Sequence, residues 1–205
     1  MIALIIVDIQ YDFLPGGSLE VPHGNEIIPL VNNLQQNFDL VVATQDWHPP
    51  NHKSFASAHP GKKPFEMIKL HGLDQVLWPD HCIQGTSGAA FSDALNLKKV
   101  EAIFRKGMDP DIDSYSGFYD NGYKKSTGMA GYLRERRVQK VFVCGLALDY
   151  CVFFTAKDAL KENFTTYLIE DASRAIDPIG LVKAKDELFT SGGHIISSND
   201  LHRHL

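Results

Sequence analysis

The chain has 205 residues, 44% of them hydrophobic and 22% charged, with a net charge of −5, enough for one well-buried α/β domain and short of two. No basic run exceeds Arg134-Glu135-Arg136-Arg137, so a phosphate backbone is excluded as a partner and no nucleic acid is expected. Three cysteines in no disulfide-like spacing, an opening Met1-Ile2-Ala3-Leu4 without a charged leader, and apolar runs too short for a bilayer point to a cytoplasmic protein with free thiols and no membrane partner.

Residues 2–7 form a continuous aliphatic run, as a parallel-sheet strand covered on both faces requires, and Asp8 stands at its carboxyl end. A Gly- and Pro-rich loop follows from Gln10 to Ser18. Gly24-Asn25-Glu26 then opens a helix with Ile27, Leu30, Val31 and Leu34 on one face. The second strand, 39–44, runs into Gln45-Asp46-Trp47-His48-Pro49-Pro50-Asn51-His52, after which periodicity is lost until about residue 97. So long an irregular insert in a compact domain is functional or mobile. It holds five of the nine histidines, His48, His52, His59, His71 and His81, a density that suggests a metal.

The third strand, 100–104, ends at Arg105-Lys106-Gly107. A second irregular segment, 109–125, carries Tyr115, Phe118, Tyr119 and Tyr123, which suits a wall over a pocket or a contact in a homo-oligomer. After a short helix at about 127–136, the fourth strand, 141–144, breaks at Gly145. The chain restarts as a helix whose face is Val152, Ala156, Ala159 and Leu160. Asp149 is the natural N-cap, which puts Cys151 in the first turn, where free N–H groups favour a thiolate. Strands at 165–170 and 194–197 close the chain around a helix at 178–190, begun by Pro178 and stopped by Gly192-Gly193.

Alternating strands and helices predict a parallel α/β sheet, with ligands bound outside the carboxyl ends of its strands. Asp8, Asp46, His48, Lys106 and Cys151 all fall there, on four separate segments. Cys151 is the candidate nucleophile, Asp8 its proton acceptor, and Lys106 the cation that keeps Asp8 ionised and favours the thiolate. Cys82 and Cys144 read as structural. Asp46-x-His48 with the distant His81 offers one oxygen and two nitrogens, a set suited to zinc, iron or manganese, with His52 and His71 as further candidates. His59, His202 and His204 read as surface residues. The bend at Gly145-Leu146-Ala147 would turn N–H groups toward a carbonyl under attack, with Ala147 and Cys151 as the donor pair.

The blocks Val7-Asp8-Ile9-Gln10-Tyr11-Asp12-Phe13, Thr44-Gln45-Asp46-Trp47-His48-Pro49, Trp78-Pro79-Asp80-His81-Cys82, Arg105-Lys106-Gly107, Asp113-Ser114-Tyr115-Ser116-Gly117-Phe118 and Gly145-Leu146-Ala147-Leu148-Asp149-Tyr150-Cys151 resemble the isochorismatase-like cysteine hydrolases, and within them the branch that deamidates nicotinamide. The resemblance spans residues 7–152. It implies a three-layer α/β/α fold with a six-stranded parallel sheet, one domain over 1–205, and a metal and substrate insert at about 45–97. It also implies an Asp8, Lys106, Cys151 triad, a cis peptide between Leu146 and Ala147 that builds the oxyanion hole, and a divalent metal, zinc foremost, on Asp46, His48 and His81 to hold the pyridine nitrogen. Phe13 and Trp78 would sandwich the ring, with Leu19, Leu146 and Tyr150 lining the pocket. The small-molecule partner so implied is nicotinamide, hydrolysed to nicotinate in NAD salvage. The alternatives are a relative acting on a vinyl ether, carbamoyl compound or ureido acid, and a binding protein without turnover. Such relatives generally lack the Asp-x-His set, which favours the pyridine substrate.

Overall fold

A computed structural model describes residues 1–205. Six parallel strands form one sheet: β1 (Ile2–Val7), β2 (Leu40–Asp46), β5 (Val100–Lys106), β6 (Lys140–Leu146), β7 (Thr165–Arg174) and β8 (His194–Ile196), in the spatial order β5-β2-β1-β6-β7-β8. Side chains on a strand alternate between faces, and both faces of the central strands are buried, so no polar residue interrupts β1. Leu4, Ile6, Phe142 and Cys144 pack on one side with Ile28, Val31 and Leu34 of α1 (Ile28–Leu34). Ala3, Ile5, Val7, Val141 and Val143 pack on the other with α2 (Met129–Glu135), α3 (Phe153–Lys161) and α4 (Pro178–Thr190). The result is three layers. β5 lies at the sheet edge, and its residues alternate between half-buried and exposed until Lys106, which is buried.

Four strands run further than their apolar patterns suggest, β6 and β7 to Leu146 and Arg174 among them. β2 ends at Asp46 and β5 at Lys106, and these two residues are register partners. Val7 pairs with Thr44 on one side and Gly145 on the other. Asp8 therefore emerges at the switch point, where the chain has laid β2 on one flank of β1 and later lays β6 on the other. Gly145 is obligatory there: its φ is +126°, and a Cβ would meet the carbonyl oxygen of Val7 at 2.1 Å.

The segment between β2 and β5 is not wholly irregular. It contains an antiparallel hairpin, β3 (Met67–Leu70) and β4 (Leu73–Val76), turned through His71 and Gly72, both with positive φ. Isolated bridges tie it down, His48 to Ile83 and Phe55 to Trp78.

Candidate active site

The strand ends deliver one buried cluster. Lys106 Nζ lies 2.9 Å from Asp8 Oδ2, 2.9 Å from Asp46 Oδ1 and 3.3 Å from Cys151 Sγ, and donates to the carbonyl oxygen of Ser114 at 3.1 Å. A buried ammonium persists only with such compensation. Burial alone would lower its pKa, but the Asp46 and Asp8 carboxylates raise it well above the ordinary lysine value. Asp46 shows the converse balance. Burial works against its charge, yet His48 and Lys106 hold its carboxyl well below the usual range.

Asp8 is raised, chiefly by burial against the opposing pull of Lys106, with the Asp46 charge adding to the rise. Its Oδ1 accepts the Thr44 hydroxyl at 2.6 Å, while its buried Oδ2 is met only by the Lys106 ammonium, at 2.9 Å. The backbone of Asp8 is left-handed, φ +48°, a conformation few non-glycine residues adopt outside functional turns.

The turn into α3 differs from its expected form. The chain enters through a π-helical turn, Leu148–Val152, in which the Ala147 carbonyl accepts from both Tyr150 N and Val152 N. Asp149 is not the N-cap. Its carboxylate instead accepts the N–H groups of Ile176 and Asp177, at 3.0 and 2.9 Å, tying the turn to the start of α4. Cys151 also departs from expectation, because burial pushes its thiol well above the ordinary value and Lys106 offsets only part of this. Burial thus favours the neutral thiol, which stands beside a cation and a carboxylate. The peptide between Leu146 and Ala147 is cis.

Asp46, His48 and His81 offer three ligand atoms within 4.8 Å of one another, all buried. His48 Nδ1 donates to the Gly107 carbonyl at 2.9 Å and His81 Nδ1 to the Pro79 carbonyl at 2.8 Å. Those bonds fix a proton on Nδ1, so that a lone pair on Nε2 is available to a cation when the ring is neutral. Both Nε2 atoms point at Asp46 Oδ2, 2.9 and 3.2 Å away. Three lone pairs converging in a buried spot repel unless a proton or a cation lies among them, so the donor set fits a metal.

Of the further candidates, His71 is half exposed on the hairpin turn, outside the cluster. His52 is buried and stacks on His48 at 4.3 Å between ring centroids. Its Nδ1 accepts from Ser54 N, so the proton sits on Nε2, which is buried without a partner, and burial lowers its pKa to about 4. Cys82 and Cys144 are buried, and burial raises both thiols.

A small pocket opens onto this cluster, lined among others by Phe13, Leu19, Trp78, His81, Lys106, Ala147, Tyr150 and Cys151. Leu146 does not line it; that side chain is turned into the core, where Gly24 packs against it. Three lining residues escaped the sequence reading, Asp113, Ser114 and Ile176, while Tyr115 of the 109–125 segment stands in the pocket wall as that reading allowed. Gln75 Nε2 bonds both Asp113 Oδ2 and the Tyr115 hydroxyl, hanging the hairpin over the pocket. Gln10 was also missed. Its amide bonds both backbone groups of Asp46, each at 2.8 Å, and so fixes the carboxylate's position.

Residues 2–200 match the family model of the isochorismatase domain. The chain is 50% identical over 200 residues to the nicotinamidase of Acinetobacter baylyi, covering 97% of this chain and 94% of that protein. Among solved structures, a nicotinamidase/pyrazinamidase of Acinetobacter baumanii superposes with a TM-score of 0.96 at 49% identity, covering 98% of this chain and 97% of that one. A pyrazinamidase of Pyrococcus horikoshii in complex with zinc gives 0.78 at 40% identity, covering 96% and 98%.

Proposed function

This chain belongs to the isochorismatase family, and from that premise we propose that it is an amidohydrolase converting nicotinamide and water to nicotinate and ammonia, returning the pyridine ring to NAD synthesis. The observation that carries the reading is the single buried contact set of Lys106 with Asp8, Cys151 and Asp46. It brings Cys151, Asp8 and Asp46 onto one cation beside an aromatic-walled pocket, which supports reading them as nucleophile, proton carrier and metal ligand.

In the proposed reaction, Asp8 Oδ2 takes the thiol proton as Cys151 Sγ bonds to the carboxamide carbon, and the carbonyl electron pair moves onto oxygen. Burial, which favours the neutral thiol, suits this order, since the proton leaves only as the bond forms. Lys106 stabilises the negative charge as it moves between carboxylate and sulfur. The oxyanion is assigned to the N–H groups of Ala147 and Cys151. Asp8 then protonates the amide nitrogen, the C–N bond breaks and ammonia leaves a thioester. Asp8 next takes a proton from water, whose oxygen attacks the thioester. The C–S bond breaks, nicotinate departs, and the proton returns to sulfur.

Phe13 and Trp78 are assigned to the two faces of the ring, with Leu19 and Tyr150 closing the walls. A divalent cation on Asp46, His48 and His81, zinc being the favoured choice, would supply a Lewis-acidic anchor for the pyridine nitrogen. No helix is long and apolar enough to cross a membrane. A cytoplasmic setting, where thiols stay reduced, suits the three unpaired cysteines.

The test is ammonia release from nicotinamide by the purified protein, before and after chelation and with divalent metals restored. Release that collapses on chelation and returns with metal supports the reading. No release with any metal moves the substrate to the family's other amides and ethers.

A further inference from the structure

Thr44 is fully buried near the end of β2, beside Val7 in the β1–β2 register. Its hydroxyl donates to Asp8 Oδ1 at 2.6 Å. Asp8 Oδ2 is met only by the Lys106 nitrogen, at 2.9 Å, the same nitrogen that meets Cys151 Sγ. Because Asp8 sits just past β1 with a left-handed backbone, the strand no longer dictates where its side chain points. A hydroxyl from the neighbouring strand does that instead.

The hydroxyl is itself held. Thr44 Cγ2 packs against Gly117, where a Cβ would come within 2.5 Å of that methyl and 3.0 Å of Met129 Cε. Gly117 is pinned in turn by its N–H bond to Thr155 Oγ1 at 2.9 Å. A threonine with one side filled by this close approach has little rotamer freedom left. The need for a glycine at 117 follows from the room that Thr44 takes.

We infer that Thr44 is a positioning residue for the reaction: its hydroxyl occupies Asp8 Oδ1 and holds Oδ2 as the one oxygen free to take and return the proton. The inference rests on the reading of Asp8 as the proton carrier in amide hydrolysis. It gives a role to a residue that touches neither substrate nor nucleophile, and it links the Gly117 segment to the chemistry through two side chains.

The experiment compares the parent with Thr44→Val, which keeps the shape and removes the hydroxyl, and Thr44→Ser, which keeps the hydroxyl and removes the methyl. Two readouts are taken on the metal-loaded protein: steady-state deamidation of nicotinamide, and the rate at which iodoacetamide, a small carboxamide, alkylates Cys151 at one fixed neutral pH. Thr44→Val is expected to lower kcat by about 10²-fold, the scale of a misplaced catalytic group, with KM nearly unchanged. Alkylation of Cys151 should slow in the same variant, and Thr44→Ser should recover most of both rates. Thr44→Ala takes the place of the valine variant, with the same expectation, if the latter does not fold. Parent-like rates without the hydroxyl, or a serine variant as slow as the valine one, overturn the inference. A parent that alkylates but never deamidates nicotinamide defeats the proposed substrate, while the alkylation series still decides the role of Thr44.

Discussion

Asp46 and Lys106 are register partners on adjacent strands, and their side chains meet at 2.9 Å in the buried centre of the site. The same ammonium meets Asp8 at 2.9 Å, so one cation is shared between two carboxylates. Lys106→Met removes that cation, leaving Asp8 without a counter-charge and Asp46 with only the imidazoles of His48 and His81. Breaking a buried pair from one side costs about 3–5 kcal/mol. Urea denaturation should show a loss of that size, together with the loss of ammonia release. A variant as stable as the parent contradicts the pairing.

Asp8→Asn should separate stability from activity. The raised pKa of Asp8 means the fold prefers its protonated form, mainly because of burial. A raised folded value gives stability that is present at low pH, below the unfolded carboxyl value, and lost as pH rises through the folded one. Asparagine, neutral throughout, escapes that loss. The variant should be about as stable as the parent in acid and gain on it as pH rises toward neutral, while its turnover falls by about 10²-fold or more. Thermal melts across pH check the sign, and a variant that grows weaker than the parent with rising pH contradicts it.

Metal removal should cost stability as well as activity. Without a cation the two Nε2 lone pairs and Asp46 Oδ2 are left facing one another. A ligand at about 100 times its Kd adds about 2.7 kcal/mol to apparent stability. The melting temperature should drop on chelation and recover with zinc, and His81→Ala should abolish the recovery. An unchanged melt through both steps argues against a metal on these three residues.

Asp149 should govern substrate affinity more than chemistry. Its carboxylate holds the N–H groups of Ile176 and Asp177, and Ile176 lines the cavity. Asp149→Ala leaves two backbone donors without their acceptor, at about 1–3 kcal/mol for each that stays buried and unsatisfied. The freed wall should raise KM for nicotinamide several-fold with a smaller effect on kcat. A drop confined to kcat contradicts that assignment.

The parts legible in the sequence were those that local pattern dictates. The helix at 178–190 was read to its ends, because Pro178 and Gly192-Gly193 mark them. The aliphatic run of β1 announced a strand buried on both faces and placed Asp8 at its end. The hairpin at 67–76 was missed, although its alternating residues and His71-Gly72 turn carried a usable signal. Asp149 misled because its best partners lie 27 and 28 residues downstream, and tertiary donors outcompeted the local cap. The thiolate expectation at Cys151 left out an opposing effect for a similar reason: the helix-end argument is local, whereas burial, which raises the thiol, comes from the whole fold. Gln10, Thr44 and Asp113 act only through the approach of distant strands, which no spacing in the chain reveals.

The central claim is that Cys151 attacks the carboxamide. The most direct measurement is the initial rate of ammonia release from nicotinamide by Cys151→Ala beside the parent, with nicotinamide binding followed by calorimetry on the same samples. Release at the background rate with binding kept within a few-fold is the expected result. Substantial deamidation by a protein lacking that sulfur would contradict the thioester route, whatever the geometry around Lys106.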